Sequence, residues 1–390
     1  MTENILGIDL GTTNMCAAVI DKVTGQPVVI VNQDGAKIIP SIVAFKENEV
    51  LVGQKAKNQA LLNPKGTFYG VKRLMGRSFG AVQDITSSVP FSIVEDSKRN
   101  GASAIRFNGK IFTPQEICAH LIRTVKEAAE INLGEAVTKS VLTVPAYFND
   151  QQRQAIKDAG QIAGLEVLRV IDDPTAVALA HGMQSKKCGK IAVYHLGGGT
   201  FDISILDIVD GGFEVLASQS ESNFGGETID DAVVNFLINK IENAHNVNLK
   251  AVDRGAWLSA LQRIKMEAET AKKALSIAMN YAINLPYLVM KDSTPVNFEY
   301  ILKRSQLESL AQRLIEKTID PCQKALFDAG ITASDVDEVI LDGGMTYMPL
   351  VKEMAKRIFQ EKSFIPTSVR ADEAVAVGAA TQARILVGND

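Results

Sequence analysis

Gly7-Ile8-Asp9-Leu10-Gly11-Thr12-Thr13-Asn14 and Val193-Tyr194-His195-Leu196-Gly197-Gly198-Gly199-Thr200 are two copies of one pattern. An offset of 186 residues lays Leu10 on Leu196, Gly11 on Gly197 and Asp21 on Asp207. Each copy reads as an apolar strand, a turn of small residues, a second strand and then an Asp. Such a hairpin exposes several backbone N–H groups at its tip, which is an arrangement that holds phosphate. The acid before the first tip, Asp9, can hold Mg²⁺ or a water on it. A repeat of this length predicts a duplicated domain with one ligand between its halves. The copies disagree at one place, where Asp9 lies opposite His195.

The chain has 390 residues, 46 % hydrophobic and 22 % charged, with a net charge of −4. That length predicts two lobes rather than one core. The mild negative charge argues against a nucleic-acid partner held by its phosphates. No apolar run reaches about 18 residues, so no membrane span is expected. The N-terminus passes directly into a strand with no visible targeting segment. The four cysteines and four histidines are scattered. That spacing fits a reducing, intracellular compartment and gives no structural metal cluster.

Outward from the first tip, residues 5–10, 15–20, 27–32 and 41–45 read as strands and 52–62 as a short helix. The basic segment Val71-Lys72-Arg73-Leu74-Met75-Gly76-Arg77 reads, by composition alone, as a solvated face. A helix is predicted over 114–132, capped by Thr113 and Glu116 with Pro114 at its first position and Gly134 at its end. Its core stripe is Ile117, Leu121, Val125 and Ala128. Strand 140–144, helix 150–163, strand 167–171 and helix 174–180 follow, an alternation that predicts an α/β lobe. The junction between halves falls between Met183 and Lys190. Hairpins then run over 191–217, with helices at 229–243 and 256–277. The second of these carries Leu258, Leu261, Ile264, Ala268, Ala271 and Leu275 on one side and Lys265, Glu269, Lys272, Lys273 and Ser276 on the other. Strands are predicted at 284–290 and 296–300, and a helix from a Ser305–Glu308 capping box to 329. Strand 338–342 ends in Gly343-Gly344, and helix 349–359 and a final helix capped by Asp372 complete the chain.

One Gly-Thr tip is more often only a turn. Two at equivalent positions, with Gly225-Gly226 and Gly343-Gly344 both leading to helices, point to a phosphate site. These glycines are not a Rossmann fingerprint, because Gly11 is followed by a strand. No Walker A segment occurs.

Ile8-Asp9-Leu10-Gly11-Thr12-Thr13-Asn14, Val144-Pro145-Ala146-Tyr147-Phe148-Asn149-Asp150, Leu196-Gly197-Gly198-Gly199-Thr200-Phe201-Asp202 and Asp372-Glu373-Ala374-Val375-Ala376-Val377-Gly378 strongly resemble the heat shock protein 70 chaperone family. Pro321-Cys322-Gln323-Lys324-Ala325 and Gly343-Gly344-Met345-Thr346 look most like its bacterial and mitochondrial branch. The resemblance implies the family's nucleotide-binding domain: an α/β, two-lobed actin, sugar-kinase and heat-shock-chaperone ATPase fold with a duplicated core and a central nucleotide cleft. Lobe I would span 1–185, with 362–390 returning to it, and lobe II 186–361. The peptide-binding domain and lid that follow in the family lie outside this sequence.

The same resemblance implies the roles. ATP or ADP is the ligand, with Mg²⁺ and K⁺ as cations. Gly11, Thr12, Thr13 and Asn14 would hold the terminal phosphates from one side and Gly197, Gly198, Gly199 and Thr200 from the other. Lys72 would reach the γ-phosphate, and Asp9 and Asp202 would hold the metals or their waters. Glu269, Lys272, Lys273 and Ser276 would hold ribose and adenine, with Gly226, Gly344, Tyr347 and Asp372 lining the pocket. Pro145 and Arg153 match the family's switch between nucleotide state and the further domain. J-domain co-chaperones and nucleotide-exchange factors are the implied partners, and unfolded peptides would be held only by the domain outside this sequence. Protein folding and stress response, in a bacterial cytoplasm or an organelle matrix, would be the setting.

Five positions depart from the family pattern. His195 stands where the family has an Asp. Asp173 stands for a Glu, which sets its carboxylate about 1 Å farther back, a displacement that matters in catalysis. Tyr347 stands for an adenine-stacking Arg and brings no cation. Arg370-Ala371 stands for Asn-Pro, and Asp342 replaces an apolar residue, adding negative charge near the phosphates. His195 has three readings: neutral and a poor anchor for a metal-bound water, protonated and able to bind phosphate while repelling the metal, or a general base. The sequence therefore predicts nucleotide binding with reduced or lost hydrolysis. A scaffold that has lost catalysis and acts through co-chaperone surfaces is the alternative, and a sugar kinase fits the motifs less well.

Overall fold

The computed structural model describes residues 4–46, 49–182, 188–209, 212–222, 224–360, 362–364 and 369–388. Its frame is two sheets of the same order. The first runs β1 (Ile5–Leu10), β2 (Asn14–Ile20), β3 (Pro27–Val29), β4 (Lys139–Val144) and β5 (Glu166–Asp172) in the spatial order β3-β2-β1-β4-β5, with the short strand Ile39–Pro40 also on β2. The second is built from β6 (Cys188–Leu196), β7 (Thr200–Val209), β8 (Gly212–Ser222), β9 (Glu338–Asp342) and β10 (Ser363–Phe364) in the order β8-β7-β6-β9-β10. In both, three antiparallel strands are joined to two parallel ones: β1 pairs parallel with β4, and β6 with β9. The repeat at offset 186 is thus a repeat of topology. Each Gly-rich tip closes the first hairpin of its sheet.

Each sheet has its own core. Leu6, Ile8 and Leu10 of β1 pack with Ile117, Leu121 and Val125 of the Pro114–Leu133 helix. Tyr194, Leu196 and Phe201 pack with Ile229, Val233 and Ile264 around the second sheet. The Pro114–Leu133 helix has the expected start: Thr113 Oγ1 accepts from Glu116 N–H at 3.2 Å, and the Glu116 carboxylate accepts from Thr113 N–H at 2.7 Å. Gly134 ends it at φ 67°, a left-handed value that a side chain would oppose.

Between the two sheets a third core joins Ile5, Val141 and Ile171 to Ile191, Val193 and Ile340 through the Asp173–Ala180 and Ala374–Gly388 helices. These contacts are made backbone to backbone. A Cβ on Gly378 would sit 1.7 Å from the Ala176 carbonyl oxygen, and one on Gly7 would sit 2.2 Å from Ala380 N. Glycine at both positions lets the last helix lie directly on β1 and on its neighbouring helix.

Several expected elements differ. The helix expected over 52–62 is only Gln54–Asn58, because Val52 ends a strand. The strand expected over 284–290 breaks after Leu285 into a turn at Pro286–Tyr287, with Tyr287 at φ 50°. The helix over 305–329 begins at Arg304, since Gln306 caps Lys303 N–H at 3.0 Å, and a 3₁₀ turn at Glu316–Thr318 interrupts it. The junction expected between Met183 and Lys190 lies mostly outside the described residues.

Candidate functional site

The two hairpin tips face one another. A Cβ on Gly198 would lie 2.6 Å from Thr13 Cγ2, and one on Gly199 would lie 3.0 Å from Thr13 Oγ1. Arg73 reaches the second tip, its guanidinium donating to the Gly199 carbonyl at 2.9 Å. Ser41 braces the first tip: its hydroxyl donates to Gly11 O and its N–H to Thr13 O, both at 2.8 Å. Tip two is braced by Gly226 N–H on Gly197 O (3.0 Å) and Glu227 N–H on Gly198 O (2.8 Å). Those two helix N–H groups are therefore taken up by the tip, so this helix N-terminus does not offer them to an anion as expected. The close approach needs glycine. Gly225 and Gly343 lack the Cβ that would come within 2.6 Å of Gly198 O and 2.4 Å of Leu196 O.

Below the tips lies a cluster of charge. Lys72 sits in the 3₁₀ turn Val71–Leu74 between buried Val71 and Leu74 and is only 5 % exposed. The solvated-face reading of this segment is thus overturned. Its ammonium is 3.9 Å from Asp173 Oδ2 and 5.9 Å from the Phe148 ring centre. Burial, with Asp173 nearby, lifts the Asp9 carboxyl to about 7 even though Lys72 and His195 pull the other way. Burial raises Asp202 as well, against the pull of His195 and hydrogen bonds from Ser220 and Thr200. Among the described residues, one oxygen each of Asp173, Asp202 and Asp342 is buried with no hydrogen-bond partner. Uncompensated carboxylate oxygens of this kind suit a hard cation or its waters. Among the described residues no three His, Cys, Asp or Glu side chains converge on one metal position. The donor set therefore fits Mg²⁺ held largely through water and phosphate.

His195 and Asp342 are register partners on the parallel strands β6 and β9. Imidazole Nδ1 meets Asp342 Oδ2 at 2.5 Å, with the carboxylate 0 % exposed and the imidazole 27 %. Burial alone would lower the imidazole's affinity for a proton. The Asp342 carboxylate, with Asp202 and Asp173 behind it, outweighs burial and lifts it to about 9. Of the three readings of His195, the protonated one is favoured. The negative charge expected from Asp342 faces the His195 ring, which lies against it. A cavity of about 20 Å³ adjoins the pair, bounded by Pro145, Asp173, His195, Asp202 and Asp342. It has room for one water.

The residues expected around ribose and adenine form two groups. On the Arg254–Leu275 helix, Glu269 meets Lys57 at 2.5 Å and Lys273 at 2.8 Å. Burial would raise that carboxyl, but the two ammonium groups hold it down at about 2. Lys57 belongs to the Gln54–Asn58 helix, so this pair links the parts of the chain that carry the two tips. Lys272 is not on a polar outer face. It is 8 % exposed and donates to Gly226 O at 2.9 Å and Asp230 Oδ2 at 2.7 Å. Asp230, which no sequence motif marked, stays near 6 through burial despite Lys272. Ser276 lies one turn on, its hydroxyl 3.5 Å from Lys272 O. In the second group, Tyr347 donates to Asp372 Oδ1 at 3.0 Å, and Arg370 holds the same carboxylate at 2.9 and 3.1 Å. The Arg370 guanidinium lies 5.6 Å from the Tyr347 ring centre. The cation missing at Tyr347 therefore stands beside it. Gly344, next to this group, has open space where a side chain would be.

Arg153 ion-pairs with Asp172 and donates to Phe148 O at 2.9 Å, and Pro145 borders the cavity under His195. Among the described residues no helix is long and apolar enough to cross a membrane.

The family model described as Hsp70 protein matches residues 5–390. Members of that family are chaperones that bind ATP and ADP with Mg²⁺ and work with J-domain proteins and nucleotide-exchange factors. The two like-ordered sheets, each opening on a Gly-rich hairpin, are the actin-like ATPase fold. With a match that runs from the first residue of β1 through the final helix, the chain belongs to the Hsp70 family.

Proposed function

We propose that this chain is the adenine-nucleotide-binding domain of an Hsp70 chaperone of the bacterial and mitochondrial type, one in which nucleotide is held but hydrolysed slowly. The observation that carries this reading is the meeting of the two tips over Lys72, Asp9, Asp173 and Asp202. Lobe I would comprise 1–185 with 362–390, and lobe II 186–361, consistent with the two separate cores. Thr12, Thr13 and Asn14 would grip the terminal phosphates opposite Gly197 to Thr200. Lys72 would stabilise charge on the phosphoryl oxygens. Glu269, Lys272, Lys273, Ser276, Gly226, Gly344, Tyr347 and Asp372 would form the nucleoside side of the cleft. Mg²⁺, when bound, screens the phosphates, and Asp9 and Asp202 would hold it or its waters, with K⁺ as a second cation.

Slow hydrolysis follows from two positions. The carboxylate expected at 195 is replaced by an imidazole already engaged with Asp342, so no free oxygen is offered there. Asp173 carries a shorter arm, and Lys72 lies beside it. Arg153, tied to Asp172, and Pro145 would relay nucleotide state to a client-binding domain, with J-domain proteins and exchange factors acting on the cycle. One contact favours the scaffold alternative: the Arg73 guanidinium donates to Gly199 O of the second tip, close to where phosphates would lie.

The test is calorimetric binding of ATP and ADP with Mg²⁺, followed by single-turnover hydrolysis on the same sample. A His195→Asp/Asp342→Leu variant is run alongside. Binding in both proteins, with hydrolysis at least tenfold faster in the variant, is the expected outcome. Absence of binding in both overturns the nucleotide reading in favour of the scaffold.

A further inference from the structure

We infer that Asp342 is a positioning residue that aims the imidazole of His195 at the second Gly-rich tip, where Nε2 contacts the terminal phosphate of a bound nucleoside triphosphate. The inference rests on the nucleotide-binding reading above and extends it to two departures that the fold makes partners.

The argument begins with register. His195 and Asp342 are opposed on parallel neighbouring strands, so their side chains emerge on the same face of the sheet. Asp342 lies at the end of β9, has no exposure, and its carboxylate meets the ring beside it. Its Oδ2 holds Nδ1 at 2.5 Å, and its Oδ1 has no hydrogen-bond partner among the described residues. The carboxylate therefore makes no competing bond that would turn it away from the ring.

Fixing Nδ1 fixes where the other nitrogen points. A Cβ built on Gly197 would lie 3.2 Å from Nε2, so that atom faces the backbone of the tip itself. Nε2 has no hydrogen-bond partner among the described residues, and 27 % of the side chain remains exposed. A ring atom turned to a phosphate-binding turn, unpartnered and reachable, is placed to meet a phosphate oxygen. An N–H donated to an anionic oxygen makes one of the stronger hydrogen bonds available to a side chain. Two basic side chains lie nearby: Lys72, 3.9 Å from Asp173, and Arg73, whose guanidinium donates to the Gly199 carbonyl of the same tip.

An interaction with the terminal phosphate alone should separate ATP from ADP, which a merely structural pair would not do. Calorimetric affinities for ATP and ADP, with Mg²⁺ held constant, are measured for the unmodified domain and for Asp342→Leu, Asp342→Asn, His195→Gln and the His195→Gln/Asp342→Leu double variant. Asp342→Leu is expected to weaken ATP tenfold or more while changing ADP less than threefold. Asp342→Asn, whose amide oxygen can still accept from Nδ1–H, should recover part of the loss. The double variant should be no weaker than His195→Gln alone, because the two residues act as one unit. ATP affinity within threefold of the original in Asp342→Leu, equal losses for ATP and ADP, or single effects that multiply in the double variant would overturn the inference. Failure of the unmodified domain to bind either nucleotide would instead sink the nucleotide reading on which it rests. Asp342→Asn keeps the shape of the site and so remains informative if the leucine variant does not fold.

Discussion

Replacing Asp342 by Leu should remove a pH dependence of stability as well as a hydrogen bond. The folded imidazole of His195 holds its proton to about 9, because the adjacent Asp342 carboxylate outweighs the cost of burial. In the unfolded chain the ring releases its proton at the usual value, about 6.5. A group whose folded value is raised contributes fully below the unfolded value, and that contribution is lost as pH rises through the folded one. The full contribution comes to about 3 kcal/mol, of which about 2 kcal/mol disappears between about pH 7 and about pH 8.5. The 27 % exposure of the ring trims the figure through solvent screening. Other shifted groups contribute less in that interval. Asp9, raised to about 7 by burial and Asp173, is half ionised at its start and loses only the remaining part, about 0.4 kcal/mol, within it. The thiols of Cys16, Cys118 and Cys322 are also raised by burial, and they act only above the ordinary thiol range. Urea midpoints measured across the interval should fall steadily for the unmodified domain and stay nearly flat for Asp342→Leu. Parallel slopes in the two proteins would refute the assignment of a charged imidazole held by Asp342.

Three further outcomes are expected. Lys57→Ala removes the 2.5 Å link to Glu269 and should speed release of bound ADP about two- to fivefold, the effect of a partly exposed ion pair, as read by stopped-flow fluorescence of a labelled nucleotide. Gly378→Ala drives a methyl to 1.7 Å from Ala176 O and should cost about 3 kcal/mol or more, whereas Gly344→Ala, which meets nothing within 4 Å, should leave the thermal midpoint nearly unchanged. Lys272→Met strands the buried Asp230 carboxylate and should cost about 3 kcal/mol, and adding Asp230→Leu should restore much of that by removing the lone charge.

The parts of this molecule written in local sequence were legible. Thr113, Pro114, Glu116 and Gly134 state where one helix begins and ends, and they do so through short-range hydrogen bonds and a left-handed turn. The offset between the two Gly-rich copies foretold the common sheet order, because a repeated hairpin carries its strand neighbours with it. What escaped depends on which residue lies across from which. His195 and Asp342 stood out singly as departures, yet 147 residues separate them, and only the register of two parallel strands makes them partners. Arg370 and Tyr347 are a second case, in which a cation lost at one position stands at another that folds beside it. Asp230 carried no motif at all, since its role comes from burial under Lys272. Amphipathic pattern misled at Lys272 for the same reason: a long polar side chain satisfied by one buried acid reads in sequence like a solvated one.

The helix Ala374–Gly388 lies against β1 and β2, where Ala376, Val377 and Ala380 cover Cys16, Ala18 and Val29. These strands are thus covered by a segment made about 350 residues after them. At translation rates of about 5–20 residues per second, roughly 20–70 s separate their emergence. Throughout that interval this face of the sheet lacks its native cover, and the backbone contacts of Gly378 and Gly7 with Ala176 and Ala380 cannot yet form. During its own synthesis this chain is therefore an exposed apolar surface waiting to be shielded, the condition of the nascent chains that holdase chaperones shelter.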